Sequence, residues 1–202
     1  MRLFIALDID DGIRAQIAQF IEAVQAFAPE ARWMKPESLH VTLKFIGEQP
    51  ESLLAEIESA LRTIPAAPIT IHFRGYGFFP TATAPRVFWI GLQAPPELIS
   101  LAACVDEKMN ALGIAKLGMA KEDRPYNPHL TLARSGTRSS GNPRAKKGDR
   151  PNRAFQQLQE KLSALPLPEF GTMTAHEFFL YRSELSPKGS RYTKLARFKL
   201  GG

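Results

Sequence analysis

Three features of the 202-residue chain predict an α/β (α+β) fold with two pseudo-equivalent lobes, each a helix-covered, antiparallel-rich sheet. Apolar strand-like runs alternate with segments of 3.6-residue periodicity. A short text, His-[apolar]-Thr-Leu, occurs twice, at His40 and at His129. No long polar linker divides the chain apart from one basic stretch near 135–153, so residues 1–202 are expected to form a single bilobal domain carrying a basic loop.

The elements follow in order. Residues 2–9 form an apolar strand. Asp10 or Asp11 can cap a helix whose Ile13, Ile17, Phe20, Ile21, Val24 and Phe27 share one face, and Pro29 ends it. Leu39–Ile46 reads as a strand stopped by Gly47. A helix over 51–64 carries Leu53, Leu54, Ile57, Leu61 and Ile64 on one side. Strands are expected at Ile69–Phe79 and Val87–Leu92, then a helix from Pro95-Pro96 to Gly113. His129–Leu132 is the next strand, followed by the basic loop and a short helix through Phe155, Leu158, Leu162 and Leu165. Two strands, Thr172–Leu185 and Tyr192–Leu200, close the chain around a turn at Ser186–Ser190.

Composition narrows the function classes. Hydrophobic residues at 44% and charged residues at 23% exclude a wholly disordered chain. The lone Cys104 excludes an internal disulfide and a multi-cysteine zinc site. No apolar stretch approaches the roughly 18 residues that span a bilayer, and the start is too short and acidic for a signal peptide. These features predict a cytoplasmic protein with no membrane association. Its net charge of +6 is concentrated: Arg134, Arg138, Arg144, Lys146, Lys147, Arg150 and Arg153 face only Asp149 between 134 and 153. That Ser/Gly/Pro-rich stretch is expected to be a solvated loop, or a flap that grips a polyanion through its phosphates.

The repeated text carries the chemistry. On a strand, residues i and i+2 share a face. His40 and Thr42 therefore project together while Val41 and Leu43 enter a core, and the same holds for His129 and Thr131 over Leu130 and Leu132. If both strands line one cleft, two imidazoles and two hydroxyls converge on a volume suited to a phosphodiester. One neutral imidazole can take a proton from water, and one imidazolium can give a proton to the leaving oxygen. Threonine hydroxyls can donate to non-bridging oxygens. An ordinary histidine pKa of ~6.5 allows both protonation states near neutrality without a metal. Threonine is a poor zinc ligand, and no His-x-His, Glu-x-x-His or cysteine pair is present, so no metal or other cofactor is expected. His72 and His176 lack a partner motif and read as structural. Cys104, one position before Val105, reads as a small core residue.

The blocks HVTLKFIGE (40–48) and PHLTLAR (128–134) resemble the paired His-x-Thr signatures of the 2H phosphoesterases. MRLFIALDI, WMKPESLHVTLKFIGE, RPYNPHLTLAR and LYRSELSPKGSRYTKL, in that order, resemble the bacterial and archaeal RNA 2′,3′-cyclic phosphodiesterases, once described as 2′-5′ RNA ligases. The resemblance implies a bilobal fold with the two motifs across a central groove. It implies His40 as the general acid that protonates the ribose 3′-oxygen, His129 as the general base that activates water, and a product ending in a 2′-phosphate. Thr42 and Thr131 would hold phosphate oxygens and Arg134 would bind phosphate. Phe45 would stack on the terminal base. The implied partner is RNA with a 2′,3′-cyclic phosphate end, tRNA halves included, acted on by a monomer. Two other readings stay open: joining of tRNA halves through a 2′-5′ linkage, and non-catalytic RNA binding through the basic loop. Asn127 and the long basic loop depart from the family pattern beside the site, where they bear on substrate preference.

Overall fold

The computed structural model describes residues 1–114, 126–136, 155–186 and 189–201. The basic loop, apart from its first residues, lies outside the described residues, as does the tip of the closing turn.

The described chain forms nine strands and four α-helices: β1 (Arg2–Asp8), α1 (Asp11–Val24), β2 (Ala31–Trp33), β3 (His40–Glu48), α2 (Leu54–Arg62), β4 (Ile69–Phe79), β5 (Val87–Gln93), α3 (Pro96–Ala111), β6 (His129–Ser135), α4 (Gln156–Ser163), β7 (Glu169–Ala175), β8 (Glu177–Ser186) and β9 (Gly189–Lys199). They build two sheets, ordered β3-β1-β8-β9 and β2-β6-β5-β4-β7. Each described strand pairing is antiparallel. This is the mixed α/β architecture that the sequence predicts.

One apolar core takes residues from both sheets. Leu3, Ile5 and Leu7 of β1 and Val41 and Leu43 of β3 share it with Ile71 and Phe73 of β4, Phe88 and Ile90 of β5, and Leu130 and Leu132 of β6. The helices complete it. Ile13, Ile17, Ile21 and Val24 form the buried stripe of α1, whose N-cap Asp10 accepts from the Ile13 amide at 2.7 Å. The expected helix from Asp11 to Phe27 is an α-helix to Val24 that tightens into a 3₁₀ turn over Gln25–Phe27. Likewise the helix expected over 51–64 is a 3₁₀ turn, Glu51–Leu53, followed by α2.

Three local expectations are corrected. Gly47 does not stop β3: it adopts φ 81° and pairs with Leu3, so the strand runs on to Glu48. The segment Thr172–Leu185 is two strands rather than one, because the chain leaves one sheet at Ala175 and joins the other at Glu177. His176 occupies the crossing, where its carbonyl accepts from the Leu200 amide at 2.8 Å. A short β2, not anticipated, pairs with the end of β6. Among the described residues, no helix is long and apolar enough to cross a membrane.

Candidate active site

Both motif strands behave as alternation requires. Val41, Leu43, Leu130 and Leu132 are buried, whereas His40, Thr42, His129 and Thr131 are half-buried on the opposite faces. The strands lie alongside each other where the two sheets meet. A side chain stitches them: the hydroxyl of Tyr126, three residues before His129, donates to the Thr42 carbonyl at 3.0 Å.

Alternation alone would bury the side chain five positions after each histidine. Two β-bulges prevent this. In β3, the pairing with β1 slips by one residue between Ile5 and Ala6, so Ala6 faces Thr42 while Phe4 faces Phe45. Phe45 thereby returns to the face of His40 and is 43% exposed. In β6, the pairing with β5 slips between Phe88 and Trp89, leaving Leu132 and Ala133 both buried. Arg134 then emerges, exposed, on the face of His129 and Thr131. All six residues expected at the site thus lie on two neighbouring strand surfaces: His40, Thr42 and Phe45 on β3, and His129, Thr131 and Arg134 on β6.

The two imidazoles are held alike. His40 Nδ1 lies 2.8 Å from the Ser38 carbonyl, and His129 Nδ1 lies 2.8 Å from the Asn127 carbonyl. A carbonyl only accepts, so each Nδ1 carries hydrogen, which makes Nε2 the proton-exchanging nitrogen of the neutral ring. Asn127 therefore contributes its backbone to the site, whatever its side chain does.

Aromatic walls fix the ring planes. His40 packs against Phe4 at 4.8 Å between centroids and meets Tyr192 edge-on at 5.2 Å, with Tyr181 at 6.2 Å. His129 meets Phe79 edge-on at 4.9 Å and Trp89 at 6.1 Å. Trp89 can lie where it does because its neighbour is glycine: a Cβ on Gly77 would sit 2.2 Å from the indole. None of these aromatic residues was singled out from the sequence as part of the site. Tyr181 and Tyr192 do belong to the closing block that carries the family resemblance, which is the signal that could have marked them.

Burial pushes the His40 imidazole down to about 4. The hydrogen bond to Ser38 and the Asp8 carboxylate oppose that effect, while the positive charges of Arg134 and His129 add to it. The influence of two β6 side chains on a β3 imidazole is a physical sign that the motifs share one electrostatic environment. Beside His40 opens a hollow lined in part by Asp8, Ser38, Tyr181, Tyr192 and Lys194. The other two described histidines stand apart from the motifs. His72 Nδ1 lies 2.9 Å from the Thr172 hydroxyl oxygen, with Glu169 3.6 Å from its Nε2. Among the described residues, no three His, Cys, Asp or Glu side chains group as metal ligands would.

Comparison with known proteins decides the family. Residues 7–89 match the model of the LigT-like phosphoesterases. The RNA 2′,3′-cyclic phosphodiesterase of Archaeoglobus fulgidus is 35% identical over 98% of this chain and 100% of its own length. The chain belongs to the LigT-like phosphoesterases. A further relative in this family, the RNA 2′,3′-cyclic phosphodiesterase of Thermus thermophilus, is 34% identical over 100% of this chain and 91% of its own. Among solved structures, TT0787 of Thermus thermophilus superposes on this LigT-like phosphoesterase with a TM-score of 0.76 at 30% identity, covering 100% and 99% of the two chains. Escherichia coli LigT complexed with 3′-AMP gives 0.72 at 26% identity, covering 100% and 98%.

Proposed function

We propose that this protein hydrolyses 2′,3′-cyclic phosphate ends of RNA to 2′-phosphate ends by metal-independent acid–base catalysis between two histidines. The observation that carries the reading is the matched pair: two imidazoles on neighbouring strands, each with Nδ1 donating to the carbonyl two residues earlier, each beside a threonine on the same face. The names of the full-length relatives support the substrate class.

In this mechanism His129 takes a proton from water as the water oxygen attacks phosphorus. The bond from phosphorus to the 3′-oxygen breaks, and His40 gives that oxygen its proton. Exchange with solvent then returns both rings to their starting states. Each proton transfer is worth ~10²–10⁴ in rate. Thr42 and Thr131 donate to the non-bridging oxygens, and Arg134 opposes the second negative charge that develops in the transition state. Phe45 offers its exposed ring to the terminal base, an interaction that any base satisfies.

The low His40 pKa gives this role a specific requirement. At pH 7 the ring is neutral in the empty groove, and the substrate's negative charge must favour its protonated form. The protein acts in this reading as a cytoplasmic monomer on RNA ends, those of cleaved tRNA included, and its whole chain is one bilobal catalytic domain.

The test is a cyclic-phosphate oligonucleotide incubated in EDTA, with the product end identified. A 2′-phosphate is expected, and His40→Ala and His129→Ala should each lose ~10²-fold or more in kcat. A 3′-phosphate product would overturn the leaving-group assignment. Wild-type turnover in either alanine variant would overturn the two-histidine mechanism.

A further inference from the structure

His40 and His129 share a backbone anchor, yet the residues behind His40 form an ion-pair cluster. Asp8, the last residue of β1, is the register partner of His40. Its Oδ1 accepts from Arg14 Nη2 at 2.6 Å and from the Ile9 amide at 2.9 Å, and its Oδ2 accepts from Lys194 Nζ at 2.5 Å. Arg14, on α1, also donates through Nη1 to the Pro36 carbonyl at 2.6 Å and through Nη2 to the Ile9 carbonyl at 2.9 Å. Pro36 opens the 3₁₀ turn Pro36–Ser38, and the Ser38 carbonyl is the acceptor for His40 Nδ1. One guanidinium therefore joins β1, α1 and the turn that aims the imidazole. A lysine ammonium has no planar fork with which to serve the same three acceptors.

We propose that Asp8 and Arg14 are positioning residues for His40: Arg14 fixes the turn that orients the ring, and Asp8 supplies the negative charge beside it. The proposal rests on the two-histidine reading for its effect on turnover, but its effect on the ring can be read without turnover.

The groups facing His40 from the surrounding elements fix the signs. Asp8 comes from β1, with Arg14 of α1 bound behind it, Glu37 from the turn, Tyr181 from β8, Arg191, Tyr192 and Lys194 from β9, and His129 and Arg134 from β6. A carboxylate beside the ring favours imidazolium, and a cation disfavours it. Losing Asp8 must therefore lower the pH at which His40 titrates. Losing Lys194 must raise it, because the change removes a cation and leaves the Asp8 charge less compensated.

The experiment uses the full chain with isotope-labelled histidine, followed by NMR from pH 3.5 to 8, with the His40 signal assigned by its loss in His40→Gln. Relative to wild type, Asp8→Asn should move the His40 midpoint to lower pH and Lys194→Gln to higher pH. Midpoints that shift together, or fail to shift, overturn the proposal for Asp8, because loosened structure would move both the same way. Arg14→Lys should lower kcat on a 2′,3′-cyclic nucleotide ~10–100-fold with KM within about threefold, the signature of a misdirected catalytic ring. An unchanged kcat overturns the role of Arg14. Should Asp8→Asn not fold, the Lys194→Gln shift still decides. Wild-type turnover in His40→Gln would instead defeat the two-histidine reading, and the titrations would still decide the part played by Asp8.

Discussion

Substituting His40 with glutamine should flatten the acid side of the protein's stability profile. The folded ring titrates at about 4, whereas an unfolded chain returns it to 6.5. Above pH 6.5 both states hold a neutral ring, and His40 adds no pH dependence. As the pH falls below 6.5, the unfolded chain binds a proton that the folded chain refuses, so stability is lost until the folded ring itself titrates near 4. Linkage sets that loss at about 2 kcal/mol by pH 5 and up to about 3 kcal/mol below pH 4. Glutamine keeps an amide that can donate to the Ser38 carbonyl but has no titration in this range. Urea denaturation of wild type and His40→Gln at pH 7.5 and pH 5.0 measures the effect as the change in the difference between the two proteins. The stability of wild type relative to the variant should fall by about 2 kcal/mol between the two conditions. A constant difference would refute the claim that the site disfavours imidazolium, and a rise toward pH 5 would reverse its sign.

Three further substitutions separate packing from binding. Gly77→Ala places a methyl 2.2 Å from the Trp89 indole, so thermal melting should show about 1–3 kcal/mol of overpacking. Turnover should fall as well, because Trp89 and Phe79 wall His129. Gly12→Ala is its control: the added methyl would lie 3.5 Å from Asp10 Oδ1, in the first turn of α1. Phe45→Ala, at an exposed position, should change stability by less than about 0.5 kcal/mol. It should raise KM for a cyclic-ended oligonucleotide roughly 5–150-fold, the worth of one base stack at ~1–3 kcal/mol; an unchanged KM would remove Phe45 from the binding surface.

The part of the site that depends on local periodicity was legible in the sequence. His40 with Thr42, and His129 with Thr131, follow from a period of two, and burial of Val41, Leu43, Leu130 and Leu132 bears that out. The placement of Phe45 and Arg134 was reachable only through the family resemblance. Strict alternation assigns each to the core, and the slips that rescue them are properties of strand pairs rather than of either strand alone. The same limit explains His176. Thr172–Leu185 has the composition of one strand, and its division depends on which of two sheets offers a free edge on either side of that residue. The cluster of Asp8, Arg14 and Lys194 was invisible for a related reason: Lys194 reaches Asp8 from the opposite end of the chain, and Arg14 reaches it from a separate element, α1.

The two motifs use the same device for different ends. Each strand presents histidine and threonine by alternation, has one register slip between the histidine and the fifth residue after it, and so returns that residue to the site face. On β3 that residue is an apolar ring, beside Phe4 at 6.0 Å. On β6 it is a guanidinium, whose charge reaches His40. A phosphodiester end has the same polarity, a base with sequence-tolerant π-faces on one side and charged oxygens on the other. In the proposed reaction the near-symmetry of the backbone would supply the paired proton carriers, and the asymmetry at the fifth position would supply direction. The ion-pair cluster behind His40 extends that asymmetry to the histidines themselves, since two rings anchored alike need different surroundings if one is to give a proton while the other takes one.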